Sequence, residues 1–448
     1  MPSTSVDLGR LLDHGNWTSR QKFFIFLAAL TIVFDGIDNQ LLAIALPAIM
    51  REWALPRSDF APILACGMAG MMIGGALAGL VGDRYGRRIA LIASVLVFGA
   101  LTAAAALAEG LWTLGIVRLL AGLGLGGALP NAAALASEYV PRRHRPFAVT
   151  LTIVCVPLGG TLAAFVGGRL LPITGWRTLF ALGGILSIGV AALLMRFLPE
   201  SPRFLARHPE RWPELTAVLR RVGHDVPADA TFVDTSEQAV SRPSVGALFT
   251  SEFRRDTLAL WGAFLCCLHA VYVAFNWVPS MLTDAGQGIG VASNGLAAFN
   301  LGGVAGAIGG GLVIARLGSK VTMLTMSAGA VAGALALAAT PITVSSDPVL
   351  IVALLGFTGA LINAVQTTMY ALAAHVYPTA VRATGVGTAV AFGRTGGVVS
   401  TYAGSWALEA GGTAGFFGLM AASMALVFLS LAIVRRHVPG RARTSGTS

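Results

Sequence analysis

The chain has 448 residues, 55% of them hydrophobic and only 12% charged, whereas a water-soluble protein of this size carries about 25% charged residues. This composition excludes an ordinary soluble enzyme and predicts an all-α integral membrane protein. The net charge of +10 would suit a nucleic-acid partner, but the basic residues cluster between apolar stretches, as membrane topology requires.

Residues 1–22 contain Asp7, Arg10, Asp13 and Lys22 and lack a short apolar region before a small-residue cleavage site. They are expected to be a cytoplasmic amino terminus rather than a cleaved signal. Apolar runs of the roughly 20 residues needed to cross about 30 Å of hydrocarbon then recur along the chain. The predicted spans are 23–50, 59–81, 88–108, 111–139, 145–170, 175–198, 256–284, 291–315, 319–340, 347–376, 381–409 and 412–434. They define twelve transmembrane helices in two halves: an N-terminal six-helix half (23–198), a cytoplasmic linker (199–255), a C-terminal six-helix half (256–434) and a cytoplasmic tail (435–448). With both termini cytoplasmic and charges at span ends counted with the adjoining loop, 25 of the 31 lysines and arginines fall on the inner side, 4 on the outer side and 2, Arg118 and Arg394, deep within spans. That is a positive-inside bias. Cys66, Cys155, Cys266 and Cys267 all lie in spans and are read as small hydrophobes, with no disulfide and no metal site.

Span 1 contains FDGIDNQ, residues 34–40. A charge at the centre of a span costs about 2.5 to 3.5 kcal/mol. Asp35 and Asp38 are spaced i, i+3 and share one side of the helix. Their mutual repulsion and their desolvation both disfavour ionisation, as a proton carrier requires. At about 1.5 Å per residue, Asp35 lies about 18 Å, Asp38 about 22 Å and Arg394 about 17 Å from the inner end, with Arg118 about 10 Å from the outer end. The plainer alternative is that these groups only neutralise one another between packed helices, Asp35 more readily than Asp38. Gly36 and Pro47 allow a bend or the close approach of another backbone.

After span 2 comes GDRYGRR, with Gly82, Asp83, Arg84, Gly86, Arg87 and Arg88. Topology alone accounts for the arginines, but Asp83 implies a cap or an ion pair and Gly86 a tight turn. A breakable contact here suits a conformational switch. In span 4, GLGLGG at 122–127 fits a dinucleotide fingerprint, yet no strand precedes it and it lies in lipid-spanning sequence. Gly122 and Gly126 are read as a close-packing face.

In the linker, the stretch from Pro199 is expected to form a short amphipathic helix on the inner surface, followed by irregular chain. In span 7, His269, Tyr272 and Asn276 lie on one face, with Trp277 beside them; in span 10, Asn363, Gln366 and Tyr370 repeat that spacing. Rings mixed with amides suit an aromatic-lined cavity, with helix-to-helix hydrogen bonds as the alternative. His269 fits a packing role as well as a proton relay. RYGRRIAL at 84–91 recurs as RLGSKVTM at 316–323, and VPRRHR is echoed by YPTAVR. Two related halves with a midplane site between them are the build of many secondary transporters.

FDGIDNQ, GDRYGRR, RLLAGLGLGGALPNAAALASEY, LPESPRF and YPTAVRATGVGTAVAFGRTGG together resemble the major facilitator superfamily, and more narrowly its aromatic acid:proton symporter branch. The resemblance implies proton-coupled import of an aromatic carboxylate, such as a hydroxybenzoate, across a bacterial inner membrane. It implies proton coupling by Asp35 and Asp38, and a switch at Gly82, Asp83, Arg84, Gly86, Arg87 and Arg88. Arg394, then Arg118, is expected to attract the carboxylate through paired hydrogen bonds. Tyr272, Asn276, Trp277, Gln366, Tyr370 and Tyr402 are expected to line the substrate site, with His269 as a possible relay. Asn39 and Gln40 stand where the family often has small hydroxyl residues, so substrate identity does not carry over from a relative. No cofactor beyond protons, no metal and no nucleic acid is expected; the partners are the substrate and the bilayer, and the unit is a monomer. An exporter of amphipathic compounds and a non-transporting sensor of aromatic acids are the alternatives.

Overall fold

The computed structural model describes residues 5–13, 15, 17–227, 230–233 and 245–440. Residues 234–244 of the expected linker and 441–448 of the expected tail lie outside them. In chain order the elements are β1 (Ser5–Asp7), α1 (Leu8–Asp13), α2 (Ser19–Trp53), α3 (Ala61–Tyr85), α4 (Arg87–Ala105), α5 (Leu111–Tyr139), α6 (Arg145–Phe197), α7 (Pro202–Ala206) and α8 (Trp212–Arg221). They continue with β2 (Thr231–Val233), α9 (Arg254–Asp284), α10 (Ile289–Leu317), α11 (Ser319–Ala339), α12 (Pro348–Val376) and α13 (Thr379–Ile433).

Among the described residues, ten helices are long and apolar enough to cross a membrane, against twelve spans expected. The difference lies in α6 and α13, with 53 and 55 residues. A straight helix of that length would run about 80 Å, far beyond about 30 Å of hydrocarbon. Each is broken at a glycine, Gly175 (φ 78°, ψ 171°) and Gly412 (φ 56°, ψ −146°). These are conformations that glycine adopts freely and L side chains resist. Both breaks fall where the sequence separates two spans, so the ten elements carry twelve membrane-length segments of a multi-pass membrane protein.

Helices α2 to α6 pack mainly on one another, as do α9 to α13; α2 meets α9, α6 meets α10 and α3 meets α13 across the seam. Glycine sets the closest approaches. A Cβ on Gly122 or Gly126 of α5 would collide with the Gly67 or Met71 carbonyl of α3, and one on Gly36 of α2 with the Val156 carbonyl of α6. Lipid tails are as apolar as side chains, so such close packing takes over the role that hydrophobic burial plays in water.

The amino terminus and the linker depart from expectation. β1 pairs in parallel with β2, Ser5 opposite Thr231 and Asp7 opposite Val233. Leu8 and Leu12 of α1 are buried with Phe204, Leu215, Leu219 and Phe232. The amphipathic α8 therefore turns its apolar face to protein rather than to the membrane surface. Asp13 ties this unit to the bundle by accepting from Arg145 at the start of α6 and lying 3.9 Å from Arg203.

Gly126→Ala is expected to cost about 1–3 kcal/mol by overpacking the α3–α5 seam, seen as a lower thermal midpoint in detergent. Gly79→Ala, where a Cβ meets nothing within 4 Å, should leave that midpoint at or above wild type.

Candidate functional site

The capping box of Thr18 and Gln21 starts α2, and the helix then runs unbroken through FDGIDNQ to Trp53. At 100° per residue, Asp38, Asn39 and Gln40 face three different neighbours. Asp38 is 1% exposed. The Thr102 hydroxyl of α4 donates to its Oδ1, Arg118 Nη1 of α5 lies 3.5 Å from the same oxygen, and Arg118 Nη2 donates to the Asp38 carbonyl at 3.4 Å. Asp38 Oδ2, Arg118 Nε and Arg118 Nη1 make no hydrogen bond among the described residues. A long ion pair with orphaned polar atoms on both members is a stressed arrangement.

Asp35 is also buried, and its Oδ1 has no hydrogen-bond partner among the described residues. It lies within electrostatic reach of Asp38 and Arg394. The arginine in direct contact thus belongs to Asp38, whereas neutralisation was expected more readily for Asp35. Arg394, on the first segment of α13, donates from Nη1 to the Met71 carbonyl of α3 at 3.0 Å across the seam. Gly75 leaves the space for it. Tyr272 and Tyr370 share the field of this guanidinium.

Asn39, Met68, Met71, Arg118 and Asn276 line a central cavity of about 10 Å³, room for roughly one water. Asn39 lies beside the Tyr272 side chain, and Asn276 Nδ2 is an unpartnered buried donor among the described residues. Tyr370 stands edge-on to Phe264 at 5.4 Å, and Gln366 is half-buried one turn before it. Asn363 spends its amide on the Gly359 carbonyl of its own helix.

Three expected site residues point elsewhere. Trp277 is fully buried, its Nε1 donates to the Thr401 carbonyl at 3.1 Å, and its ring fills the space beside Gly404. Tyr402 is 50% exposed, on an outward stripe with Val399 and Trp406. His269 Nδ1 meets Ser423 Oγ at 3.0 Å, between α9 and the second segment of α13, as a packed helix histidine does.

Several contacts of the GDRYGRR residues lie among the described residues. Asp83 pairs with Arg87 at 2.6 Å, and Arg87 Nε lies 3.7 Å from Glu138 at the end of α5. Gly82 packs against Asn131, and Arg84 lies over the Tyr85 ring. Gly86, at φ 109°, admits the Glu200 carboxylate. Glu200 accepts from the Arg88 amide at 3.0 Å, while Arg88 Nε donates to the Leu198 carbonyl at 2.6 Å. Burial pushes the Glu200 carboxyl above its usual range.

Sequence reasoning missed Thr102, a lone hydroxyl in a run of alanines, and two links across the seam. At the end of the bundle opposite the termini, Arg57 pairs with Asp284, its guanidinium 5.9 Å from the Trp277 ring centroid. Deeper in, Gln40 and Asn300 exchange two amide hydrogen bonds. Asp284 also borders a crevice of about 860 Å³ with Arg51, Leu55, Pro172 and Gln287.

Two packed helical groups with opposite charges buried at their seam are the build of a secondary transporter. The Major Facilitator Superfamily profile matches residues 28–362, and the chain belongs to that superfamily, which places it among transporters rather than enzymes. It is 34% identical over 398 residues to the 4-hydroxybenzoate transporter PcaK of Pseudomonas putida, covering 88% of each chain. It is 34% identical over 410 residues to the 3-(3-hydroxy-phenyl)propionate transporter of Escherichia coli, covering 91% of each. The fold is similar to the inward-open xylose transporter XylE of E. coli, with a TM-score of 0.73, 18% identity, and 94% of this chain and 98% of that one covered.

Arg118→Met would strand the Asp38 carboxylate in the bundle and should cost about 3–5 kcal/mol. Adding Asp38→Asn to it should restore most of the lost thermal stability, a coupling readable from a double-mutant cycle in detergent.

Proposed function

We propose that the protein is a proton-coupled symporter that imports an aromatic carboxylate, of the hydroxybenzoate type, across a bacterial inner membrane by alternating access. It acts as a monomer with both termini in the cytoplasm. The relatives named for hydroxybenzoate and hydroxyphenylpropionate support the substrate class. The observation that carries the mechanism is the long Asp38–Arg118 pair with its orphaned atoms.

The substrate carboxylate replaces Asp38 at the Arg118 guanidinium, which can bind a carboxylate through two parallel hydrogen bonds. Asp38, stripped of its cation in a low-dielectric site, takes up a proton, because an unpaired buried charge is the costlier state. Release on the cytoplasmic side reverses both exchanges. Arg118, which lines the cavity, replaces Arg394 as first choice for the anchor. Arg394, within electrostatic reach of Asp35, holds the seam to α3, and Tyr272 and Tyr370 contact the ring. The cavity has room for about one water, so loading requires the halves to part. GDRYGRR serves as the conformational switch in that motion. One proton with one monoanion moves no net charge, and each further proton would add about 2.3 kcal/mol per 100 mV.

In proteoliposomes with an acidic exterior, labelled 4-hydroxybenzoate should accumulate and collapse with a protonophore. Asp38→Asn should abolish that accumulation while the protein stays inserted. Full accumulation by the mutant, or extrusion driven by the same gradient, would contradict the reading.

A further inference from the structure

The crevice at the end of the bundle opposite the termini has walls from both halves. Arg51 of α2, Leu55 beyond it and Pro172 of α6 form one side; Asp284 at the end of α9 and Ile289 and Gly290 at the start of α10 form the other. Because α2 meets α9 and α6 meets α10 across the seam, the crevice is the mouth of that seam. It shares no lining residue with the central cavity at Arg118. Its volume of about 860 Å³ falls within the range of about 300–1,000 Å³ usual for small-molecule sites.

Its charge is set by one residue. Asp284 is committed to Arg57. Of the other basic groups at this end, Arg177 pairs with Glu52 and Arg169 covers the Phe165 ring. Arg51 is exposed, and its Nε donates to the Pro47 carbonyl one turn back at 3.2 Å. Its Nη1 and Nη2 take no hydrogen bond or ion pair among the described residues. The guanidinium is thus tied at its base to its own helix, with its terminal nitrogens free. Such a fork binds a carboxylate through two parallel hydrogen bonds, and a cleft with low-dielectric walls concentrates anions around its charge. Leu55, Pro172 and Ile289 offer apolar surface to a ring.

We infer that this crevice is an outer vestibule, in which Arg51 binds the aromatic carboxylate before the halves part to admit it to the central cavity. This rests on the import reading above and adds a second, separate site for the same substrate class.

The test uses a cysteine placed in the crevice. A Cβ on Gly290 meets nothing within 4 Å, so Gly290→Cys is accommodated, and the unaltered chain, whose four cysteines lie elsewhere, supplies the background. Alkylation of purified Gly290→Cys protein by a charged maleimide is followed by mass. With 4-hydroxybenzoate at about ten times its dissociation constant, the rate should fall about tenfold. The neutral 4-hydroxybenzamide should not slow it, and Arg51→Gln added to Gly290→Cys should remove the protection. No slowing by 4-hydroxybenzoate, equal slowing by the amide, or protection undiminished by Arg51→Gln would overturn the vestibule. Accumulation of 4-hydroxybenzoate by wild-type proteoliposomes, run in parallel, decides the transport reading separately: its absence would overturn both.

Discussion

The long ion pair between Asp38 and Arg118 is the constraint around which the rest of the molecule is arranged. Its members come from α2 and α5 of the same half, with Thr102 of α4 completing the shell. Burying both charges costs several kcal/mol per ion, and their attraction repays that only if every lone pair and proton is satisfied. Here Asp38 Oδ2 and two guanidinium nitrogens are not, among the described residues. Evolution toward stability alone would close that shell. A pair left open on the cavity wall is one that a second carboxylate can enter.

The surrounding architecture makes such an exchange possible without dissolving the bundle. Within each half, glycines bring backbones together, as at Gly122 and Gly126 against α3 and Gly36 against α6. Contacts of that kind lose their attraction over small displacements, so each half moves as a body. Across the seam, apolar packing is joined among the described residues by polar links: Arg57 with Asp284, Gln40 with Asn300, and Arg394 with the Met71 carbonyl. These are polar and directional, and water or a polar ligand can replace the partner in each. The rigid half and the exchangeable seam together give alternating access a physical basis.

Much of this was legible in the sequence because bilayer thickness dictates it. Span length, the boundaries between spans near residues 170–175 and 409–412, the glycine face of α5 and the cost of Asp35, Asp38, Arg118 and Arg394 in hydrocarbon all follow from local composition. Pairings over long sequence separations do not. Nothing near Gln40 announces Asn300, and the three-residue strands at Ser5–Asp7 and Thr231–Val233 are too short to carry a periodic signal. Tyr402 and Trp277 illustrate a different limit. Lipid and protein interior are equally apolar, so hydrophobicity cannot separate an outward Tyr402 from an inward Tyr272. Nor can a helical stripe tell that the Trp277 indole is spent on Thr401.

The central claim is that substrate and proton compete through one guanidinium, so that binding the anion protonates Asp38. It is tested most directly by adding 4-hydroxybenzoate to detergent-purified protein in weakly buffered solution with a pH-indicating dye. The account predicts net proton uptake by wild type in step with substrate binding, and none by Asp38→Asn even where that variant still binds. Saturable binding by wild type without proton uptake, or undiminished uptake by Asp38→Asn, would contradict it.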